Sequence, residues 1–336
     1  MHGSKIAITG CCGTIGQNLI ETILTNETKV ELVGLDNNES VLFFLGEKYR
    51  SNPNVKFLLC DIRNKAAAVK ALKGASTVFH CAAYKHVHLC EVCPQEALST
   101  NIDGLINVID AAVENAVGKF VFTSSDKAVN PTNVMGASKL LGERLVSAAA
   151  MENPHIKFIS TRFGNVLGSN GSVVEVFRNQ ILENKSLTVT DYEMSRFVMS
   201  QNEAVKLVLK SASLAVGGEV YVTKMPVIKI YDLAVAMTEL AKDKGILKND
   251  LEIVQIGSKP GEKLYEELTT SEETRRTSEL DNFFCVMPAF SDKLQFNSID
   301  GNLSERSDTS TAYSSETQPC LSVSEIKAFL TNSNLF

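Results

Sequence analysis

Two neighbouring side chains, Asp126 and Lys127, follow Ser125 just past the apolar run Lys119–Thr123, and ten residues beyond Ser125 comes Met135-Gly-Ala-Ser-Lys139. A carboxyl and an amine side by side can serve one substrate as acid and base, which suits a reaction that takes one proton and delivers another. A second group of residues sits near the start of the chain, where Gly10, Gly13 and Gly16 fall in Gly10-Cys-Cys-Gly13-Thr14-Ile15-Gly16. Glycines at this spacing allow a tight turn and close backbone approach, so that a pyrophosphate can lie on the free N–H groups of the helix that follows. Asp36, about twenty residues on, is placed to accept hydrogen bonds from ribose hydroxyls and to repel a 2′-phosphate. Asn37-Asn38-Glu39 supply no cation to offset that repulsion, so NAD is expected over NADP. Asp61 and Ile62 fit a contact to the adenine edge.

These residues need a frame that brings them together. Lys5–Thr9, Val30–Leu35, Val55–Leu59, Thr77–His80, Lys119–Thr123 and Ile156–Thr161 read as strands, with helix-like segments between them. Near-continuous apolar strands alternating with helices imply a parallel sheet covered on both faces. The expected fold class is α/β, a doubly wound parallel Rossmann sheet with a smaller α/β substrate-binding domain. The glycine turn follows the first strand, and His80 to Val87 and Ser125 to Lys127 follow the fourth and fifth, all at the carboxyl edge where open α/β sheets hold ligands. The boundaries expected are 1–165 with about 195–222 for the dinucleotide-binding domain, and about 166–194 with 223–336 for the other. Within the latter, Ile228–Lys242 has the period of a helix. Asp300–Gln318, rich in Ser, Thr, Asp and Glu, reads as a mobile loop, and Ser322–Leu330 as a closing helix with Ser322 as its cap.

The order of Ser125 and Lys139, with methionine where Tyr-x-x-x-Lys is usual, resembles the extended short-chain dehydrogenase/reductase superfamily. Ala82-Ala-Tyr-Lys85-His-Val87, Ser125 to Lys139 and Arg162-Phe-Gly-Asn-Val-Leu-Gly168 narrow the resemblance to the polysaccharide-biosynthesis nucleotide-sugar 4,6-dehydratases. Met194-Ser-Arg-Phe197, Lys224-Met-Pro226, Lys229 to Leu233 and Pro260-Gly-Glu-Lys263 extend it along nearly the whole chain. That family implies NAD, a UDP-sugar such as UDP-N-acetylglucosamine, and a homo-oligomer. It implies oxidation at C4, loss of the C5 proton and the C6 hydroxyl, and reduction at C6. The resemblance assigns Asp126 as the acid and Lys127 as the base, states in which the carboxyl keeps a proton and the amine has lost one; a simple ion pair between the two would undo the assignment. It places Lys139 on the nicotinamide ribose and Ala82 beside the cofactor. Lys85, Asn165, Arg196, Lys224, Met225 and Glu262 then face the substrate, with cations available to its diphosphate. Met135 cannot ionise, so a water or the Asp126 carboxylate must take the 4-hydroxyl proton; a methionine there also leans the family expectation toward retention at C5.

Composition sets the outer limits. With 336 residues, 44% of them hydrophobic, the chain can bury a large core. A net charge of -6 argues against nucleic acid or an anionic membrane as partner. Neither a secretory leader nor a membrane span is legible, so a cytoplasmic enzyme is expected. Cys90 and Cys93 form a CxxC with no second pair at a zinc-like spacing, and no metal site is expected. His86 and His88 are read as structural. Two rivals share the same cofactor site: a nucleotide-sugar 4-epimerase, which needs no elimination pair, and a non-catalytic NAD-binding sensor, motivated by Met135.

Overall fold

A computed structural model describes residues 4–27, 29–290 and 311–336. Its strands are β1 (Lys5–Thr9), β2 (Glu31–Asp36), β3 (Val55–Leu59), β4 (Thr77–His80), β5 (Lys119–Thr123), β6 (Lys157–Arg162), β7 (Asn165–Val166), β8 (Leu187–Val189), β9 (Ser195–Met199), β10 (Val220–Thr223), β11 (Val227–Lys229), β12 (Ile253–Gln255), β13 (Thr277–Glu279) and β14 (Phe283–Val286). Nine of them form one sheet in the order β13-β14-β10-β6-β5-β4-β1-β2-β3. From β3 to β10 neighbours run parallel, whereas β14 is antiparallel to β10 and β13 to β14. The strand order reverses between β4 and β1, which opens a crevice at their carboxyl ends.

Period-two side-chain alternation accounts for the two covered faces. Ile6 and Ile8 point to one face, where Leu19, Ile20, Val205 and Val208 of the helices Thr14–Asn26 and Gln201–Leu214 pack on them. Ala7 points to the other, with Val33, Val78, Phe120, Phe122 and the helices Gly104–Glu114 and Val134–Glu152. A third apolar cluster, including Phe177, Val198, Leu233, Met237, Ile326 and Leu330, lies outside the large sheet. It packs the helices Val173–Leu182, Ile230–Asp243 and Val323–Asn332 around the small β11-β9-β7 sheet. Ser322 caps the last helix through a capping box with Glu325.

Two segments cross the expected domain boundaries. β9, within 195–222, pairs with β7 and β11 and not with the large sheet, because its Arg196 and Phe197 register against Ile228 and Val227. Residues 277–286, expected in the substrate domain, extend the large sheet, since Val220–Thr223 presents a free strand edge that the β14 backbone satisfies. The loop expected at Asp300–Gln318 lies in part outside the described residues. Its described part, 311–318, is packed: the Tyr313 ring lies 4.7 Å from Phe197 and 5.1 Å from Phe284, and Ser315 is buried.

Candidate active site

The crevice is one cleft of about 720 Å³ that runs from the glycine turn past Ser125–Lys127 to residues 259–266, within the size range of small-molecule sites. Gly10 sits at φ +70°, and a Cβ there would lie 2.5 Å from the Ala82 backbone nitrogen. Gly16 has no room either, because a Cβ would collide with the Gly10 carbonyl. Gly13 caps the helix Thr14–Asn26 without any side chain, and Gly13, Thr14, Ile15 and Gly16 line the cleft, so the first-turn N–H groups face open space. Asp36 secures the turn by accepting from Cys12 N–H at 2.9 Å and Asn38 N–H at 3.0 Å, and each carboxylate oxygen keeps a second lone pair for a ribose. These features fit a dinucleotide. Asp61 is gripped by Arg63, with Nη2 at 2.6 Å, and Ile62 is buried; with Asp36 and Ala82 they stand at the ends of β2, β3 and β4, beyond the cleft lining.

Cys11, Cys12 and Asp36 bring their ligand atoms within 4.8 Å of one another. Burial pushes both thiols up, Cys12 to about 12, and a protonated thiol is a poor metal ligand. Cys90 is buried beside Met135, Cys93 is exposed, and all eight cysteines are free.

Backbone continuation beyond β5 and β6 sets the reactive turn. Ser124 N–H donates to the Thr161 carbonyl and Asp126 N–H to that of Phe163, each at 2.7 Å. Asp126–Ala128 then forms a single 3-10 turn that lies on Gly136, where any Cβ would strike the Lys127 carbonyl. Asn133 caps the helix Val134–Glu152 through Gly136 N–H, and its amide donates to the Gly261 carbonyl at 2.9 Å. That bond, with Arg196 Nη2 donating to the Lys263 carbonyl at 2.8 Å, draws the segment 259–266 across the cleft.

One oxygen of Asp126, which is 1% exposed, accepts from Ser125 Oγ at 2.7 Å, Lys127 N–H at 2.8 Å and Lys127 Nζ at 3.1 Å. Lys127 Nζ also lies 3.5 Å from Glu266 Oε1 and donates to Asn165 Oδ1 at 3.3 Å. Burial pulls the Lys127 pKa down, but the charges of Asp126 and Glu266 outweigh it and the net shift is upward. The ion pair expected to undo the acid and base assignment is present between Asp126 and Lys127, and the upward shift is against Lys127 resting as a free base. Lys127 Nζ is shared with Glu266 and Asn165 as well, so the pair is not a closed one, and Lys127 has to lose a proton before it can act as a base. Burial raises Glu266 in turn. Asp126 Oδ2 and Glu266 Oε2 are both buried without a hydrogen-bond partner.

Met135 is buried against Cys90 and Ala97 and its side chain reaches the cleft. Lys139 Nζ donates to the Thr123 carbonyl at 2.8 Å and lies 4.8 Å from the Phe122 ring, and burial brings its pKa down to about 8. Lys85 lines the cleft, donates to the Asn170 carbonyl at 2.7 Å, and is lowered by burial. Glu262 lines it as well, accepting from Lys259 N–H at 3.2 Å.

Three substrate expectations change. Arg196 lines the cleft, but its guanidinium is committed to the carbonyls of Ser195, Lys263 and Leu264, so it builds the site wall and is not free for a diphosphate. Lys224 is carried away from the cleft by the β10–β14 pairing and meets Glu279 at 2.7 Å. Met225 is buried, with its Sδ against Gly164 N–H at 3.3 Å. Glu266 was missed: Glu262, Glu266 and Glu267 crowd one short stretch, and nothing in their spacing says which of them turns inward. His86 lines the cleft over Gly171, whose lack of a Cβ makes room for the ring.

Comparison with known proteins agrees with this architecture. Residues 6–288 match the family model described as polysaccharide biosynthesis protein. A UDP-N-acetylglucosamine 4,6-dehydratase (inverting) of Campylobacter jejuni is 36% identical over 94% of this chain and 93% of its own length. A UDP-glucose 4-epimerase of Rickettsia bellii is 40% identical over 84% of this chain and 82% of its own. The crystal structure of Pen from Bacillus thuringiensis superposes with a TM-score of 0.91 at 39% identity, covering 100% of this chain and 99% of that one. The nine-stranded doubly wound sheet, the glycine turn at its switch point and the match across residues 6–288 place this chain in the polysaccharide biosynthesis protein family of extended short-chain dehydrogenase/reductase fold, among relatives named as nucleotide-sugar dehydratases and epimerases.

Proposed function

We propose that this chain is an NAD-dependent nucleotide-sugar 4,6-dehydratase acting on UDP-N-acetylglucosamine and releasing a UDP-4-keto-6-deoxy-N-acetylhexosamine. The observation that carries the reading is the buried cluster of Ser125, Asp126 and Lys127 with Glu266, in the cleft that opens at the glycine turn. An oxidation and reduction at C4 alone needs a group for the 4-hydroxyl proton, but not the lysine and the second carboxylate beside it. The Gly10–Gly16 turn, Asp36 and Lys139 would hold NAD, which would supply the oxidation at C4 and the reduction at C6.

The chain's own groups handle the protons. Asp126 rests as the acceptor of three hydrogen bonds, one from Ser125, so its carboxylate takes the 4-hydroxyl proton directly or through Ser125 and fills the role that Met135 leaves vacant. Once protonated, Asp126 is the acid for the departing 6-hydroxyl. Lys127, as an amine, removes the C5 proton that the 4-ketone has acidified. Lys85 and Asn165 meet the nucleotide-sugar, and Glu262 closes over it. Retention at C5, a homo-oligomeric assembly and a cytoplasmic setting belong to the same proposal.

The test is mass spectrometry of the protein with UDP-N-acetylglucosamine and NAD in deuterated water. Loss of one water with one deuteron at C5 is expected. The epimerase name of the Rickettsia relative motivates the second reading, which predicts an unchanged formula and a new C4 epimer.

A further inference from the structure

We propose that Glu266 is the positioning residue that converts Lys127 from ammonium to amine, taking its proton before C5 is attacked and returning it after the product forms. This rests on the dehydratase reading above. Lys127 starts charged, held 3.1 Å from Asp126 Oδ1 and 3.5 Å from Glu266 Oε1. An ammonium cannot accept the C5 proton. Asp126 cannot relieve it either, because the proton it takes from the 4-hydroxyl is the one it must give to the 6-hydroxyl. Glu266 is the other carboxylate on the same nitrogen.

Its surroundings suit a proton held for part of a cycle. Glu266 is 2% exposed, so water does not compete for it, and Oε2 is buried with no partner. Its backbone N–H donates to Ser315 Oγ at 2.9 Å, which ties its main chain to the packed segment 311–318. The charged groups facing Glu266 are Asp126 and Lys127 from the 3-10 turn, Arg196 from β9, with Nε at 3.8 Å, and Lys263 from its own segment. Lys263 is already bound to the Val129 carbonyl and Glu267. Burial raises the Glu266 pKa toward that of a group able to hold a proton.

The protons balance. Asp126 gains the 4-hydroxyl proton, and Lys127 passes one proton to Glu266. The Lys127 amine then takes the C5 proton while Asp126 protonates the departing 6-hydroxyl, which leaves as water. After reduction at C6, Lys127 returns a proton to C5, and Glu266 recharges Lys127.

The test is Glu266→Gln, which keeps the shape and removes the acceptor. Expected is turnover depressed at neutral pH that climbs about tenfold per pH unit as solvent deprotonates Lys127, with Glu266→Asp restoring part of the neutral rate. A variant profile parallel to that of the parent protein overturns the proposal. A second readout needs no turnover: the pH dependence of Lys127 acetylation by acetic anhydride, read by peptide mass spectrometry. Loss of one carboxylate should move that dependence to lower pH, and an unmoved curve overturns the proposal even if the dehydratase reading holds. A parent protein that labels as expected but dehydrates no UDP-sugar defeats that reading instead.

Discussion

Arg162→Met removes the cation from a buried ionic cluster beneath the reactive turn. Arg162, 1% exposed, makes five hydrogen bonds, to both oxygens of Glu143, both of Glu273 and the Leu268 carbonyl. Its loss leaves the buried Glu143 without the cation that pairs it and Glu273 with Arg276 alone, 3.6 Å away, a change that costs about 3–5 kcal/mol. Glu273 gives a separate measure: burial pushes its pKa up, but Arg162 overrides that and holds it at about 2 against an ordinary 4.5. That shift corresponds to about 3 kcal/mol, in the same range. For a chain of this length the unfolding entropy is about 0.7 kcal/mol per kelvin, so Tm should fall by about 4–7 °C. Because the folded-state pKa of Glu273 is depressed, its contribution is complete above pH 4.5 and is lost as pH falls toward 2. Thermal denaturation followed by circular dichroism across that window should show this acid-dependent loss in the parent protein and not in Arg162→Met. A neutral-pH Tm within about 2 °C of the parent, or an unchanged acid dependence, would refute the reasoning.

Lys127→Ala should abolish loss of water while leaving NAD binding, measured by calorimetry, intact; normal turnover removes Lys127 from the chemistry. Gly10→Ala forces a Cβ to within 2.5 Å of the Ala82 nitrogen at φ +70°, and should weaken NAD binding at least about tenfold or prevent folding, read by calorimetry and circular dichroism together. Ser200→Ala removes the capping box of the helix Gln201–Leu214 and should cost about 1 kcal/mol in urea denaturation without changing turnover.

The large sheet was legible because each of its first six strands is an apolar run ended by glycine or polar residues, and the structure places all six within a residue of the expected bounds. The sheet's far edge was not, because Phe283–Val286 is only four residues long and its antiparallel partner, Val220–Thr223, lies far upstream. Local patterns carry no information about such pairings. The same limit applies at the site: adjacency in sequence announced Asp126 and Lys127, but the ion pair between them depends on burial, and Glu266 is held beside them by contacts from distant segments, Asn133 on Gly261, Arg196 on Lys263 and Ser315 on Glu266 itself. Lys224 was misplaced because a cation in a motif looks the same whether it faces a ligand or Glu279.

The late arrival of β14 also matters while the chain is being made. Until residues 283–286 have left the ribosome, β10 exposes a row of unpaired backbone groups, an edge open to pairing with another nascent chain. The segment that closes this edge follows soon after the one that carries Glu266 to Lys127. Synthesis thus closes the sheet before residues 313–315, which bond to Glu266 and Leu268, have emerged, and a chain stopped short of residue 286 has both an adhesive edge and an unfinished cleft wall.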